Sequence, residues 1–554
     1  MRRAQGVGPV LRYHARSTHR PGHYAPGPGL LDWETQPEPF RSYEGAPRIV
    51  LPLAGPELAV SWGDLRRPGS VPPRAPDRAS LGALLELALG VTAWKEHAGA
   101  RWALRANPSS GNLHPTEAYV LVPEVEGVPA GLHHYLSRDH VLEQRWSPGR
   151  AGAGTLARLL PGGALLLGLA SVHWRESWKY GERAFRYCHH DVGHALAAVR
   201  YAAAVLGWSA RLLDSPGDDD VSVLLGLDRS DDLAAVAPPE REQADGLVVV
   251  GPAPGIEEAA RRVERGLDEA RELLRDGTWT GRPSPLSPSH VDWPAVGEVA
   301  AATLKPRTSV VPRDSGRTGP EGSTGGPVSA VRLIRQRRSA VSMDGETSIK
   351  AATFFEILRR LLPGAGVPPW DALPWSPRVH ALFFVHRVDG LPPGLHLLGR
   401  ARGAVEDLRR TLRPSFAWQA VEGCPAELPF FLLEEGDARP LARFASCHQE
   451  IASDSAFAVA MLADLRGLET EPWWYRRAHW EAGLLGQVLY LEAEAAAVRG
   501  TGIGCFFDDV VHETLGLADE RFRDLYHFTV GGAVDDPRLT TRPGYDADVR
   551  RRGL

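Results

Sequence analysis

The segment RANPSSGNLHPTEAYV (residues 105–120) concentrates the residue types that a polar ligand needs. Pro108, Ser109, Ser110, Gly111 and Asn112 are small or turn-forming and stand directly before a strand-like run, so backbone amides and hydroxyls are presented at a strand entrance. A tight loop whose Ser and Asn cap the next element accounts for the same five residues. A second cluster, HHDVGH (189–194), puts His190 and His194 on one helical face with Asp191 adjacent, a spacing that also suits a metal ion. No Glu follows the first His as a metalloprotease requires, so the histidines read as helix packing and no metal is expected. Cys188, Cys424, Cys447 and Cys505 lie far apart with no CxxC pair, which excludes a disulfide framework or a zinc ribbon and points to a reducing, cytoplasmic compartment.

The elements that must position these residues are laid out twice. A chain of 554 residues exceeds what one core holds, so two large domains are expected. Pro, Gly, Ser and Thr dominate from about residue 276 to Val328, with RDSGRTGPEGSTGGP the most linker-like stretch. On either side of it the sequence repeats. ASLGALLELALG (79–90) matches AATFFEILRRLL (351–362), each an amphipathic helix, and PAGLHHYL (129–136) matches PPGLHLLG (392–399), each after a strand-like run. ERAFRYCHHDVGHALAAVRYAAAVLG (182–207) matches YRRAHWEAGLLGQVLYLEAEAAAVRG (475–500), with Arg186, Asp191 and Gly193 spaced as Arg476, Glu481 and Gly483. Three matches in one order indicate duplication. The division is therefore 1–255, a helix and linker at 256–328, and 329–554. Helices and strands alternate without a regular βαβ repeat or GxGxxG, so the fold class is α+β, a mixed, mainly antiparallel sheet flanked by helices in each copy.

The formal charge of −5 gives no general attraction for nucleic acid or anionic lipid. The N-terminus lacks the apolar core of a secretory signal, and the most apolar run, Gly162 to Val172, is about half of a membrane span. A soluble protein is expected.

PSSGN followed by HPTE and a strand resembles the nitroreductase superfamily, in particular its SagB-type branch, dehydrogenases that oxidise azolines in modified peptides. YHARSTHRPGHYAPGPGLLDWETQPEPFRSYEGA (13–46), WKYGERAFRYCHHDVGHA (178–195), IRQRRSAV (334–341) and RGTGIGCFFDD (499–509) are similar to the same family. The resemblance implies an internal pseudo-dimer holding FMN between the two copies. It assigns the phosphate entry to Arg337, Arg338 and Ser339, an amide at flavin N5 to the turn Gly502, Ile503 and Gly504, and a late basic residue to Arg538. Pro108, Ser109, Ser110, Gly111 and Asn112 then line the ring and ribityl chain. Two guanidiniums and a hydroxyl at a helix start suit a phosphate dianion. Lys179 and Tyr180 match a Lys-Tyr pair that assists proton removal as hydride leaves.

One FMN per chain is expected, because only one pairing of the two sets is complete. In the second copy DALPW (371–375) stands where the first has its Pro-Ser-Ser loop, and in the first copy RRPGS (66–70) and LGWSARLL (206–213) lack the Ser and the Gly-Ile-Gly. The implied activity is two-electron transfer at N5 on a small-molecule or peptidyl substrate, with NAD(P)H an alternative electron donor. Two classes compete: a non-catalytic partner or scaffold with a vestigial pocket, and a metal-dependent hydrolase that would rest on the His cluster alone.

Overall fold

The computed structural model describes residues 8–253, 255–309 and 328–545; the linker-like run 313–327 lies outside them. After an N-terminal arm with a helix at Pro9–Arg16, the repeated part of the first half opens on helix α1 (Arg78–Leu89). Asp77 caps it, its carboxylate accepting from the Ser80 amide at 2.7 Å while the Ser80 hydroxyl accepts from the Asp77 amide at 2.9 Å. From Ser80 to Leu89 every side chain of α1 is buried, which its run of Leu and Ala permits. Strands β1 (Thr116–Val122), β2 (Gly131–Leu136), β3 (Val141–Ser147) and β4 (Leu165–Ser171) follow. Helices α2 (His173–Tyr180) and α3 (Ala184–Val205) lead to β5 (Trp208–Leu212) and β6 (Gln243–Pro252). In space the strands run β3-β2-β1-β4-β6-β5.

The second half repeats this plan with helices α4 (Ala330–Gln336), α5 (Ala351–Leu361) and α6 (Trp474–Ala495). Its strands are β7 (Val379–Val385), β8 (Gly394–Leu398), β9 (Phe430–Glu435), β10 (Phe457–Asp464), β11 (Arg499–Ile503) and β12 (Phe522–Gly531). Their order, β9-β8-β7-β10-β12-β11, is the permutation of the first sheet. Every neighbour in both paths is antiparallel, so these sheets are not mixed. The helical residues 256–275, read from sequence as the start of the joining segment, instead pack on the first sheet. Ile256, Val263, Leu267 and Leu274 share a core with Leu121, Leu166 and Val249, because their apolar positions fall on one stripe.

The halves meet along α3 and α6. Gly193 and Gly483 make the crossing: a Cβ on Gly193 would lie 2.9 Å from the Gly483 Cα and nearer still to the Trp480 carbonyl, and one on Gly483 would collide with the His190 carbonyl. Only glycine allows that approach. Arginines reach across on both sides. Arg183 and Arg186 of α3's start bind Asp508, and Arg476 and Arg477 of α6 bind Asp218 and Asp214. The chain ends exchange as well. Near the N-terminus the His14 Nδ1 meets the Tyr475 hydroxyl at 3.1 Å. Near the C-terminus Thr540–Pro543 adds a strand to Val91–His97, and the Tyr545 hydroxyl donates to the Ser137 carbonyl at 2.8 Å. No helix among the described residues is long and apolar enough to cross a membrane.

Candidate functional site

The Pro-Ser-Ser loop leads from the first half's outer strands into β1 and is bent by left-handed backbone at Gly111 (φ 61°), Asn112 (φ 56°) and His114 (φ 52°). The His114 amide donates to Ser109 Oγ at 2.8 Å, and the Ser110 amide donates to Asp191 Oδ1 of α3 at 3.2 Å. Where Gly111 lacks a side chain, two residues close in: a Cβ there would lie 2.6 Å from the Tyr180 hydroxyl and 3.1 Å from Lys179 Nζ. The loop and the Lys-Tyr pair, 70 residues apart in sequence, are thus in one place because α2 ends against the loop. Burial raises the Tyr180 phenol well above its usual range.

From the second half, Arg337 enters beneath this loop. It is 3% exposed, its Nη2 donates to the Arg105 carbonyl at 2.8 Å, and its guanidinium stands 4.9 Å over the Tyr490 ring. Its Nε and Nη1 are buried without a protein partner, and burial lowers its pKa. A buried cation with uncommitted donors is costly unless an anion or water meets it. Ser339 Oγ pairs with the Tyr490 hydroxyl at 2.8 Å, and that same hydroxyl accepts from the Gly502 amide at 3.0 Å. Gly504 is packed against Tyr187, whose hydroxyl donates to its carbonyl at 3.0 Å, and the Tyr187 ring meets Tyr180 edge-on at 4.7 Å. Loop, Lys-Tyr pair, Arg337, Ser339, and Gly502 and Gly504, which lie at the end of strand β11 and just after it rather than in the expected turn, therefore form one polar region at the junction of the halves.

Three sequence-assigned residues stand apart from it. Arg338 turns away, donating to Thr92 Oγ1 at 3.2 Å and to the Arg337 carbonyl at 2.7 Å, and lines an open surface cavity of about 900 Å³ with Ser61 and Arg335. Ile503 is a core residue, packed with Leu382 and Phe384, because alternate residues of a strand face opposite ways. Arg538 is exposed and held by its neighbour Asp536 at 2.7 Å, an Asp-x-Arg turn that keeps it in solvent.

Beneath the loop lie two carboxyls, Asp191, read from sequence only as a neighbour of the histidine cluster, and Glu176, which sequence reading missed. Burial raises Asp191 to about 7 despite hydrogen bonds from Ser109 and Ser110, and its Oδ2 has no protein partner. Glu176, one turn before Tyr180, is fully buried with both oxygens unpartnered and is raised well above its usual range, by burial first and by Asp191 second. Tyr526 was also missed. It stacks on His190 at 4.3 Å and meets His194 Nε2 at 3.2 Å, so the two histidines pack on a tyrosine. Burial lowers both, His194 to about 3.

The mirror position, where the roles of the halves are reversed, is filled. Asp371 takes Arg200 by two bonds of 2.9 and 2.8 Å. The Trp375 ring lies 5.4 Å from Trp474 and 6.5 Å from Trp480, with the Arg477 guanidinium 4.7 Å over it. Arg66, from RRPGS, is committed to Glu492.

Residues 72–238 match the nitroreductase family model. That stretch is a nitroreductase-family domain. The nitroreductase-like protein MJ1384 of Methanocaldococcus jannaschii is 30% identical over 124 residues, 22% of this chain and 63% of that protein. The trifolitoxin-processing protein TfxB of Rhizobium leguminosarum bv. trifolii is 32% identical over 137 residues, 22% of this chain and 36% of that one. The chain thus spans less than two thirds of either relative. A nitroreductase-like protein from Anabaena variabilis, solved as a crystal structure, superposes with a TM-score of 0.66 at 21% identity, over 95% of this chain and all of that one. The two share a fold across both halves. The nitroreductase-family domain contains the Pro-Ser-Ser loop and Lys179-Tyr180, while Arg337, Ser339 and Gly502–Gly504 come from beyond it.

Proposed function

We propose that this chain is an FMN-dependent oxidoreductase that binds one FMN at the junction of its halves and oxidises a small-molecule or peptidyl substrate in the manner of SagB-type dehydrogenases. The observation that carries the reading is Arg337, a buried arginine of the second half whose Nε and Nη1 are uncommitted and whose Nη2 bonds the Arg105 carbonyl, three residues before the first half's Pro-Ser-Ser loop. Buried donors beside a loop of hydroxyls suit a phosphorylated, polar cofactor. FMN, when bound, supplies a hydride-accepting ring. Arg337 and Ser339 would hold its phosphate end, and Ser109, Ser110 and Asn112 its ring and ribityl chain. Lys179 Nζ, packed on Gly111, is the group to take a proton from the substrate carbon, with the Tyr180 hydroxyl beside it as a donor. The free cysteines accord with a cytoplasmic setting, and NAD(P)H is an alternative electron donor.

One observation favours the competing reading, a non-catalytic partner with a vestigial pocket: the Gly502 amide, the group assigned to N5, is taken by the Tyr490 hydroxyl. Absorption spectra and denaturing release of flavin separate the two. The oxidoreductase reading expects yellow protein and released FMN near one per chain. Colourless protein that takes up no added FMN overturns it, and a ratio near two overturns the single site.

A further inference from the structure

The HPTE motif runs from His114, at the end of the Pro-Ser-Ser loop, to Glu117 on β1. Its glutamate reaches a histidine held between two carboxylates. His134 of β2 is fully buried and stands in register with Tyr119 of β1 and Glu143 of β3. Its Nε2 lies 3.1 Å from Glu117 Oε2, and its Nδ1 lies 3.1 Å from Glu143 Oε2. A neutral imidazole has one N–H and one bare nitrogen, so it can serve only one of those oxygens. Neither carboxylate suits the missing proton. Glu117 Oε1 is paired with Arg175 Nη2 at 2.6 Å, and protonating that carboxylate would strand a buried cation. Glu143 accepts from Arg48 Nη2 at 2.8 Å on one oxygen and from the Tyr43 amide at 2.9 Å on the other. The proton belongs on the ring.

The pair connects directly to the candidate site. Arg175, fully buried on α2, donates through Nη1 to the His114 carbonyl at 2.8 Å and through Nε to the Glu38 carbonyl at 3.0 Å. The His114 amide donates to Ser109 Oγ, so contacts run unbroken from His134 through Glu117, Arg175 and His114 to the loop. In the second sheet Leu382, Leu397 and Phe431 stand in register where the first has Tyr119, His134 and Glu143. The fold therefore does not need charge in this layer. Charge is placed there in the half that carries the loop.

We propose that His134 is a charged imidazolium in the working protein and that, acting through Glu117 and Arg175, it positions the Pro-Ser-Ser loop, which loosens when the ring loses its proton. Facing the ring are Glu117, Glu143 and the rings of Tyr43 and Tyr119 at 5.1 and 5.2 Å, and behind them stand Arg41, Arg48, Arg175 and Glu242. Burial alone would lower the His134 pKa, but its bonds to Glu117 and Glu143 raise it to about 9. Burial likewise opposes charge on Glu117, which Arg175 and then His134 hold well below the usual carboxylate range. Because the folded value lies above the unfolded one of about 6.5, the clamp is whole below that pH and is lost as pH rises through about 9.

Nitrogen-15 NMR of the full chain, labelled on histidine and held at about pH 7.5, reads the ring itself. Both His134 nitrogens should appear protonated, the signal being marked by its shift in the near-isosteric Glu143→Gln. Amide hydrogen exchange of peptides covering 108–114, corrected for the intrinsic effect of pH, reads the loop. The double variant His134→Leu/Glu143→Phe copies the second sheet and removes one charge of each sign. Exchange in the loop should quicken at least about tenfold there, with peptides of β7 unchanged. The wild-type chain should show the same quickening as pH passes about 9. A neutral ring at about pH 7.5, or loop exchange that changes neither in the folded double variant nor across that pH in the wild type, overturns the proposal. Neither measurement uses flavin, so a chain that takes up no FMN would overturn the function proposed above and leave this role of His134 standing.

Discussion

Replacing Arg337 with Met separates a cofactor-holding arginine from one that merely packs. The methionine stem keeps apolar contact with Tyr490, while the buried cation and the donors Nε, Nη1 and Nη2 disappear. In the cofactor-free protein the loss is one bond to the Arg105 carbonyl, about 1 kcal/mol, offset by removal of a desolvated charge, so the unfolding midpoint should barely move. Binding tells a different story. Each charge-assisted contact to a phosphate contributes roughly 1.5–3 kcal/mol, which is about 10- to 150-fold in affinity for the first one lost. Isothermal titration of wild type and variant with FMN and with riboflavin measures this directly, since riboflavin lacks the phosphate. FMN should weaken by at least tenfold and riboflavin by no more than about threefold. Arg538→Ala, which removes an exposed, locally paired side chain, is the control and should change neither. Equal losses for both ligands would put the phosphate elsewhere, and no loss with a destabilised protein would make Arg337 a structural plug.

Gly483→Ala forces a methyl into the His190 carbonyl and should destabilise by at least about 2 kcal/mol in chemical denaturation, because backbone cannot give way as a side chain can. Asp508→Asn strands Arg183 and Arg186 and should cost about 3–5 kcal/mol at pH 7. Burial alone would raise the Asp508 pKa, but the two arginines hold it well below the unfolded value of about 4, so its stabilisation is complete above that pH and is lost as pH falls below it. The wild-type and variant curves should therefore converge in acid. Asp191 has the opposite sign: raised by burial to about 7, it costs stability progressively as pH rises from about 4 to 7, and Asp191→Asn should flatten the stability-versus-pH curve across that window.

The duplication and the loop were legible because they rest on local patterns, a helix stripe, a β-branched run and a cluster of turn residues, that do not depend on the partner half. Reading PSSGN as a strand entrance and DALPW as a blocked equivalent needed no coordinates. The fate of individual basic residues was not legible. Arg337 and Arg338 are neighbours of one type, yet one is buried under the loop and the other lines the outer surface, since a single residue step at the end of α4 reverses direction. Tyr490 and Tyr526 escaped notice because each occupies an ordinary apolar position of a buried helix or strand, and only the crossing of the two halves brings their hydroxyls to Gly502 and His194. Glu176 stands in a charged helical segment, WRESWKY, where nothing local marks it as buried, and its burial follows from segments that cover α2 from elsewhere in the chain.

The indoles that fill the mirror position give this chain a built-in optical gauge. Trp375 belongs to the loop that replaces the Pro-Ser-Ser turn, Trp474 and Trp480 lie on α6, and α6 is the helix that crosses the first half. The Trp480 Nε1 donates to His189 Nδ1 of α3 at 3.1 Å, so the surroundings of that indole depend on the crossing staying closed. Tryptophan emission can therefore follow the parting of the halves during unfolding, at the position opposite the candidate site, and stopped-flow traces would show whether the two sheets separate before either one melts.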